Sequence, residues 1–139
     1  MPLVRITLDA ALEPPTRRAI ADGVHEGMVS ALGIPRADHF QIIEPRTADE
    51  LIFDEDYLGA SRRQVVFIQI HLVRGRTVDQ KKALYRAIAG NLEHAGVRPG
   101  DVFIQLTETG REDWSFGNGE AQALDTELLA SYGWTPPAE

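Results

Sequence analysis

Four groups of residues in this chain have types and spacings suited to chemistry, and the first is the proline directly after the initiator methionine. A small second residue permits removal of Met1, and Pro2 would then present a secondary amine at the head of a strand. With an ordinary α-amino pKa of about 8, such an amine is open to base, acid or imine-forming roles. Taken alone, a Met-Pro start is an ordinary feature of many chains. The second group is Arg74-Gly75-Arg76. In an extended chain positions i and i+2 project to the same side, so two guanidinium groups can converge on one anion, and a carboxylate fits them best. The bland reading is two solvated arginines at a strand end. Third is Asp38, opening a strand after a turn, where it could orient an amine or a water; Asp101 stands at the matching place later in the chain and suits a structural turn role. Fourth is Asp113-Trp114-Ser115-Phe116-Gly117-Asn118-Gly119, two aromatics among turn formers, the composition of a loop that lids a small pocket or of a packed surface loop.

Other chemistry is disfavoured. Fourteen Lys and Arg against 21 Asp and Glu give a net charge of −7 and a pI near 5.1, which argues against nucleic-acid or anionic-membrane partners. The chain has no cysteine, so disulfides, thiolate metal sites and cysteine nucleophiles are ruled out. His25, His39, His71 and His94 lack tight ligand spacing and read as structural, with the role of His25 left open. No apolar run approaches the roughly 20 residues of a membrane span and no leader is evident, so a cytoplasmic protein is the expectation.

The elements that must position these residues follow from periodicity. Leu3 to Leu8 reads as a strand. Ile20, Val24, Met28 and Leu32 recur every four residues, the apolar stripe of a helix predicted over Thr16–Leu32 and stopped by Gly33 with Pro35 beyond. A strand over His39–Glu44 leads into a polar excursion from Pro45 to Arg63 without a clean period. The pattern then begins again. Val65 to Leu72 is nearly continuous in apolar residues, which predicts a central strand buried on both faces. Thr77 and Gln80 form a capping box ahead of the stripe Leu84, Ile88, Leu92, and Gly96 ends that helix. A strand over Val102–Thr107, a turn-rich stretch and a short helix over Ala123–Ala130 complete the chain.

The segment Gly33 to Phe40 lines up with Gly96 to Phe103 at a separation of 63, with Gly, Asp and Phe coinciding, and the same separation lays Leu3–Leu8 over Val66–His71. This predicts an internal duplication without a gap inside a single domain of residues 1–139: units 2–63 and 64–125, then a tail 126–139. The expected fold is α/β (α+β), two fused β-α-β units making a four-stranded, mostly parallel sheet with both helices on one face. The other face would be apolar and uncovered, which points to a closed homo-oligomer.

With Pro2, Asp38, Arg74-Gly75-Arg76 and Asp113 to Gly117 in this order along paired β-α-β units, the sequence resembles the tautomerase superfamily, and within it the malonate semialdehyde decarboxylase family. The resemblance runs from Pro2 to about Gln122 and lays Pro2 over Val65, so only one half keeps the amine. It implies a homotrimer with three sites. It also implies Pro2 as the catalytic amine, Asp38 as its acidic partner, Arg74 and Arg76 as the carboxylate-binding pair, and Trp114 and Phe116 as pocket walls. The substrate it implies is 3-oxopropanoate, giving acetaldehyde and carbon dioxide, with no metal or organic cofactor. Two alternatives stay open: tautomerisation or hydration of a 2-oxo or unsaturated acid in the same pocket, and a non-catalytic trimeric binding protein that retains Met1.

Overall fold

The structure, a computed structural model, describes residues 2–135. Met1 and residues 136–139, and with them the state of the amino terminus and the end of the tail, lie outside the described residues.

Strand β1 (Leu3–Asp9) buries Val4, Ile6 and Leu8 completely, the period-2 signature of a strand with one face in the core. Helix α1 (Pro14–Leu32) starts with two prolines in its first turn, where their missing N–H groups leave no bond unmade. It ends as expected at Gly33, whose N–H donates to Val29 O at 3.0 Å. Strand β2 (Gln41–Arg46) lies two residues further on than the sequence suggested. The excursion that follows contains two short 3-10 turns, Ala48–Glu50 and Tyr57–Gly59.

Strand β3 (Val66–Val73) leads through Thr77 into α2 (Val78–His94). The capping box forms: Gln80 N–H donates to Thr77 Oγ1 at 3.1 Å and Thr77 N–H to Gln80 Oε1 at 2.8 Å. Strand β4 (Val102–Thr109) precedes the aromatic loop and a short helix α3 (Thr126–Ser131). No helix among the described residues is long and apolar enough to cross a membrane.

The sheet order is β2-β1-β3-β4. The pairs β1–β2 and β3–β4 are parallel, as β-α-β crossovers require, and the centre, β1 against β3, is antiparallel. Both helices cover one face, where Ile20, Val24 and Met28 of α1 and Leu84, Ile88 and Leu92 of α2 join the strand residues in one core. Burying each such side chain stabilises the fold by about 1.5–3 kcal/mol. The helices approach closely at Gly27, where a Cβ would sit 2.8 Å from Ile88 Cγ1.

Three expectations need correction. The duplication is not gapless: the core-facing residues Val4, Ile6 and Leu8 correspond to Ile68, Ile70 and Leu72, and Ile20, Val24 and Met28 to Leu84, Ile88 and Leu92, all 64 apart. Beyond the helices the separation returns to 63, at Gly33 and Gly96, because four residues separate Met28 from Gly33 but only three separate Leu92 from Gly96. The strand registers record the same residue, Val4 pairing with Gln41 but Ile68 with Ile104. An odd slip exchanges the two faces of a strand, so a separation of 63 would turn Val4, Ile6 and Leu8 out of the core; Pro2 therefore corresponds to Val66, not Val65. Second, β3 is central but not buried on both faces: Gln69 is exposed, and Phe67 and His71 are half-buried. Third, the face opposite the helices is mixed rather than apolar. Phe67 and Phe103 meet edge-on at 5.2 Å, yet beside them Arg5 Nε donates to Glu44 Oε1 at 2.7 Å. The excursion brings Leu51 and Ile52 alongside this face, over a cleft of about 420 Å³.

Candidate active site

The antiparallel centre decides where the chemistry-bearing residues meet. Leu3 lies opposite His71, so the buried Pro2 stands beside the last residues of β3. Just beyond, Arg74 N–H extends the ladder to Thr109 O at 2.9 Å. The parallel pair β1–β2 brings the start of β2 to the same end, Val4 N–H donating to Phe40 O at 3.1 Å, with Asp38 two residues upstream. The structure thus gathers Pro2, Asp38, Arg74 and Arg76 at one end of the sheet.

The arginines do not continue as extended strand. Gly75 adopts φ of +130°, a conformation that side chains disfavour. Arg74 is exposed, whereas Arg76 is half-buried, with Nη1 donating to Val73 O at 2.8 Å. Burial lowers the affinity of the Arg76 guanidinium for its proton, and the nearby carboxylates of Asp38 and Glu108 push it back up. Arg76 and Asp38 are therefore within electrostatic reach of one another.

Glu108, on β4, escaped the sequence reading. It pairs with Lys81 of α2, and this bond above all holds its carboxyl below the usual range, with help from the Gly75 N–H and the Arg74 charge. Glu108 thus lies close to the turn that carries both arginines. Its sequence signal, a polar residue in strand alternation, is shared by any exposed strand position.

Trp114 and Phe116 stack, ring centroids 5.7 Å apart, but their roles differ. Trp114 Nε1 donates to Thr109 Oγ1 at 2.7 Å, and Thr109 Oγ1 donates to Leu72 O at 3.1 Å. Trp114 packs against a second apolar cluster of Val73, Ala123, Leu129 and Trp134. Phe116 is 40% exposed; its loop is clamped by Gln122, which accepts from Phe116 N–H at 2.9 Å and donates to Gly117 O at 2.8 Å. Phe116 and Asp38 line a cleft of about 460 Å³ together with Leu128, Tyr132 and Trp134. Pro2, Arg74, Arg76 and Trp114 lie outside this lining. Tyr132 and Trp134 belong to the tail, which the sequence reading left without a role.

The duplicated aspartates diverge. Asp101 is 3% exposed and accepts from Arg63 N–H at 2.6 Å and Gln64 N–H at 3.1 Å, the structural role expected of it. Asp38 is half-buried and its N–H closes a turn to Pro35 O at 2.9 Å.

Comparison with known proteins bears on the family and the fold. Two family profiles, each described as tautomerase enzyme, match residues 2–61 and 38–117. The chain is 38% identical over 127 residues to the probable tautomerase YusQ of Bacillus subtilis (strain 168), covering 90% of this chain and all of that one. Among solved structures it is similar to FG41 malonate semialdehyde decarboxylase inhibited by 3-bromopropiolate, with TM-score 0.85, 38% identity, and coverage of 97% and 99% of the two chains. A second malonate semialdehyde decarboxylase, described for its decarboxylase and hydratase activities, superposes with TM-score 0.84 at 30% identity over 90% of this chain and 98% of that one. On these matches and this fold, the chain belongs to the tautomerase family.

Proposed function

We propose that this protein is a cofactor-independent decarboxylase of 3-oxopropanoate, releasing acetaldehyde and carbon dioxide. The observation that carries the reading is the antiparallel register of Leu3 with His71, which sets Pro2 beside the turn holding Arg74 and Arg76. In this reading Arg74 and Arg76 hold the substrate carboxylate and orient the breaking C–C bond across the carbonyl plane. Its electron pair moves toward the carbonyl carbon, carbon dioxide departs, and the substrate's C2 then takes up a proton. The developing charge needs an electron sink. Pro2 supplies one either as an ammonium donating to the carbonyl oxygen or as an amine that forms an iminium and is later released by water. Asp38 is its acidic partner. Phe116 keeps water from the departing carboxylate, with Trp114 behind it.

The open sheet face, with Ile42 and Phe103 exposed on its two outer strands, supports assembly as a homotrimer with one site per chain. No nucleic acid or membrane partner enters this reading. The likeness to a probable tautomerase supports a second reading, proton shuttling by Pro2 on a 2-oxo acid enol, and the likeness to a decarboxylase with hydratase activity extends it to hydration of an unsaturated acid.

The test is acetaldehyde release from 3-oxopropanoate by protein whose intact mass proves Met1 removed. Turnover that is lost in Pro2→Ala and Arg76→Ala supports the decarboxylase. Absence of turnover in correctly processed protein rejects that substrate in favour of enols or unsaturated acids, and a methionine retained in native material favours a binding protein.

A further inference from the structure

The turn that carries Asp38 rests on a buried histidine. His25 projects from α1 with 4% of its surface exposed, and its Nε2 lies 2.8 Å from the carbonyl oxygen of Arg36. A carbonyl only accepts, so Nε2 holds the ring proton and Nδ1 is left as an acceptor. That Nδ1 is buried with no hydrogen-bond partner among the described residues. An apolar side chain would fill this space without burying an unpaired nitrogen, so the ring's contribution is the one donor it supplies to Arg36 O.

His39, on the far side of Asp38, completes the support. The two imidazoles stack face to face, centroids 3.8 Å apart and planes within 8°. His39 Nε2 lies 2.6 Å from Gln41 Oε1. Because the Gln41 amide nitrogen donates to Ala21 O at 2.7 Å, its oxygen is turned to His39, which donates. The turn itself closes through Asp38 N–H to Pro35 O at 2.9 Å and His39 N–H to Ala37 O at 3.0 Å. The Arg36 side chain is tied separately, by its ion pair to Glu26. The turn is therefore held from α1 on one side of Asp38 and from β2 on the other.

We infer that His25 is a positioning residue for the site: its Nε2–H bond to Arg36 O, with the stack on His39, fixes the 35–40 turn and so the place of the Asp38 carboxylate. The inference rests on the reading above that Asp38 takes part in the reaction. His25 touches no substrate; it acts through the backbone of the turn.

The experiment compares His25→Leu, His25→Gln, Asp38→Asn and the His25→Leu/Asp38→Asn double variant in the acetaldehyde assay, with amide hydrogen exchange measured at Asp38 and His39. Misplacing a reacting group by about an ångström costs up to about a hundredfold in rate, so His25→Leu is expected to lower kcat by about ten- to a hundredfold with KM little changed, since both arginines are untouched. His25→Gln, whose amide can donate to Arg36 O from the same place, restores most of the loss. The double variant is no slower than Asp38→Asn, because the two changes act on one group. Loss of turnover in Asp38→Asn but not in His25→Leu, or a His25→Gln as slow as His25→Leu, overturns the inference alone. Full turnover in Asp38→Asn overturns the role of Asp38 and this inference with it. If the wild-type protein does not decarboxylate 3-oxopropanoate, exchange decides: faster exchange at Asp38 and His39 in His25→Leu but not in His25→Gln supports positioning, and equal exchange overturns it. Should His25→Leu not fold, the half-buried His39→Leu, which removes the stacked ring, carries the same comparison.

Discussion

Leu3 lies opposite His71 across the antiparallel centre of the sheet, and this pairing sets Pro2 level with Leu72, two residues short of Arg74. The consequence is that an amine at the head of one β-α-β unit meets the cationic turn of the other. Neither unit alone contains both.

Pro2→Ala replaces the secondary amine by a primary one in a buried place. Turnover is expected to fall by about 10²-fold or more, the usual scale for losing a tuned acid, base or nucleophile. The melting temperature should be nearly unchanged, because Pro2 precedes the first ladder residue. Protein that keeps Met1 has an amide nitrogen at this position and should be inactive, as acetaldehyde assay of mass-verified fractions would reveal.

Arg76→Ala removes a half-buried guanidinium that donates to Val73 O and feels the charge of Asp38. A charged hydrogen bond contributes about 1.5–3 kcal/mol, so kcat/KM should drop by roughly ten- to a hundredfold, with kcat falling as well as KM rising. Arg76→Lys should recover only part of this, since an ammonium cannot grip a carboxylate at two points. Steady-state kinetics on the two variants decide it.

Glu108→Gln breaks the pair with Lys81. The Lys81 bond holds the Glu108 carboxyl below its ordinary range in the folded chain, so the stabilisation is present above the unfolded-state pKa and lost as pH falls through the lower folded value. The partners are 24% and 35% exposed, which limits the contribution to about 1 kcal/mol or less and the shift to about 2–4 °C. Thermal melts should show the variant less stable at neutral pH, and the gap should close in strong acid.

Asp101→Ala strands two backbone donors, those of Arg63 and Gln64, at a cost of about 3 kcal/mol. Turnover per folded molecule should hold. Asp38→Asn should do the reverse, keeping the melting temperature and losing activity. A pair of melting curves and rate measurements separates the two duplicated aspartates.

Much of the fold was legible locally. Gly33, Gly96 and the Thr77–Gln80 box mark helix ends because they satisfy backbone groups within a few residues, and those bonds form in the structure. The core stripes of both helices were legible for the same reason, since 3.6-residue periodicity is a property of one segment. The register of the duplication was not. One additional residue near the end of α1 is invisible to a match of glycine, aspartate and phenylalanine, yet in a strand an odd shift reverses the faces. Trp114 illustrates a partial reading: its aromatic character was visible, but its packing against the cluster that holds Val73 and Trp134 joins segments far apart in the chain.

The sequence by itself determined the helices and their caps, the alternation of the strands, the absence of cysteine chemistry, and the candidate set Pro2, Asp38, Arg74, Arg76, Trp114 and Phe116. These depend on residue type and near neighbours. Only the tertiary structure decided that β1 and β3 run antiparallel at the centre of the sheet, that Glu108 pairs with Lys81, that His25 meets the Arg36 carbonyl in the turn before Asp38, and that Tyr132 and Trp134 of the tail line the cleft. Each of these joins residues distant in the chain, and such contacts arise from burying apolar surface and pairing polar groups throughout the molecule, which no local window of sequence records.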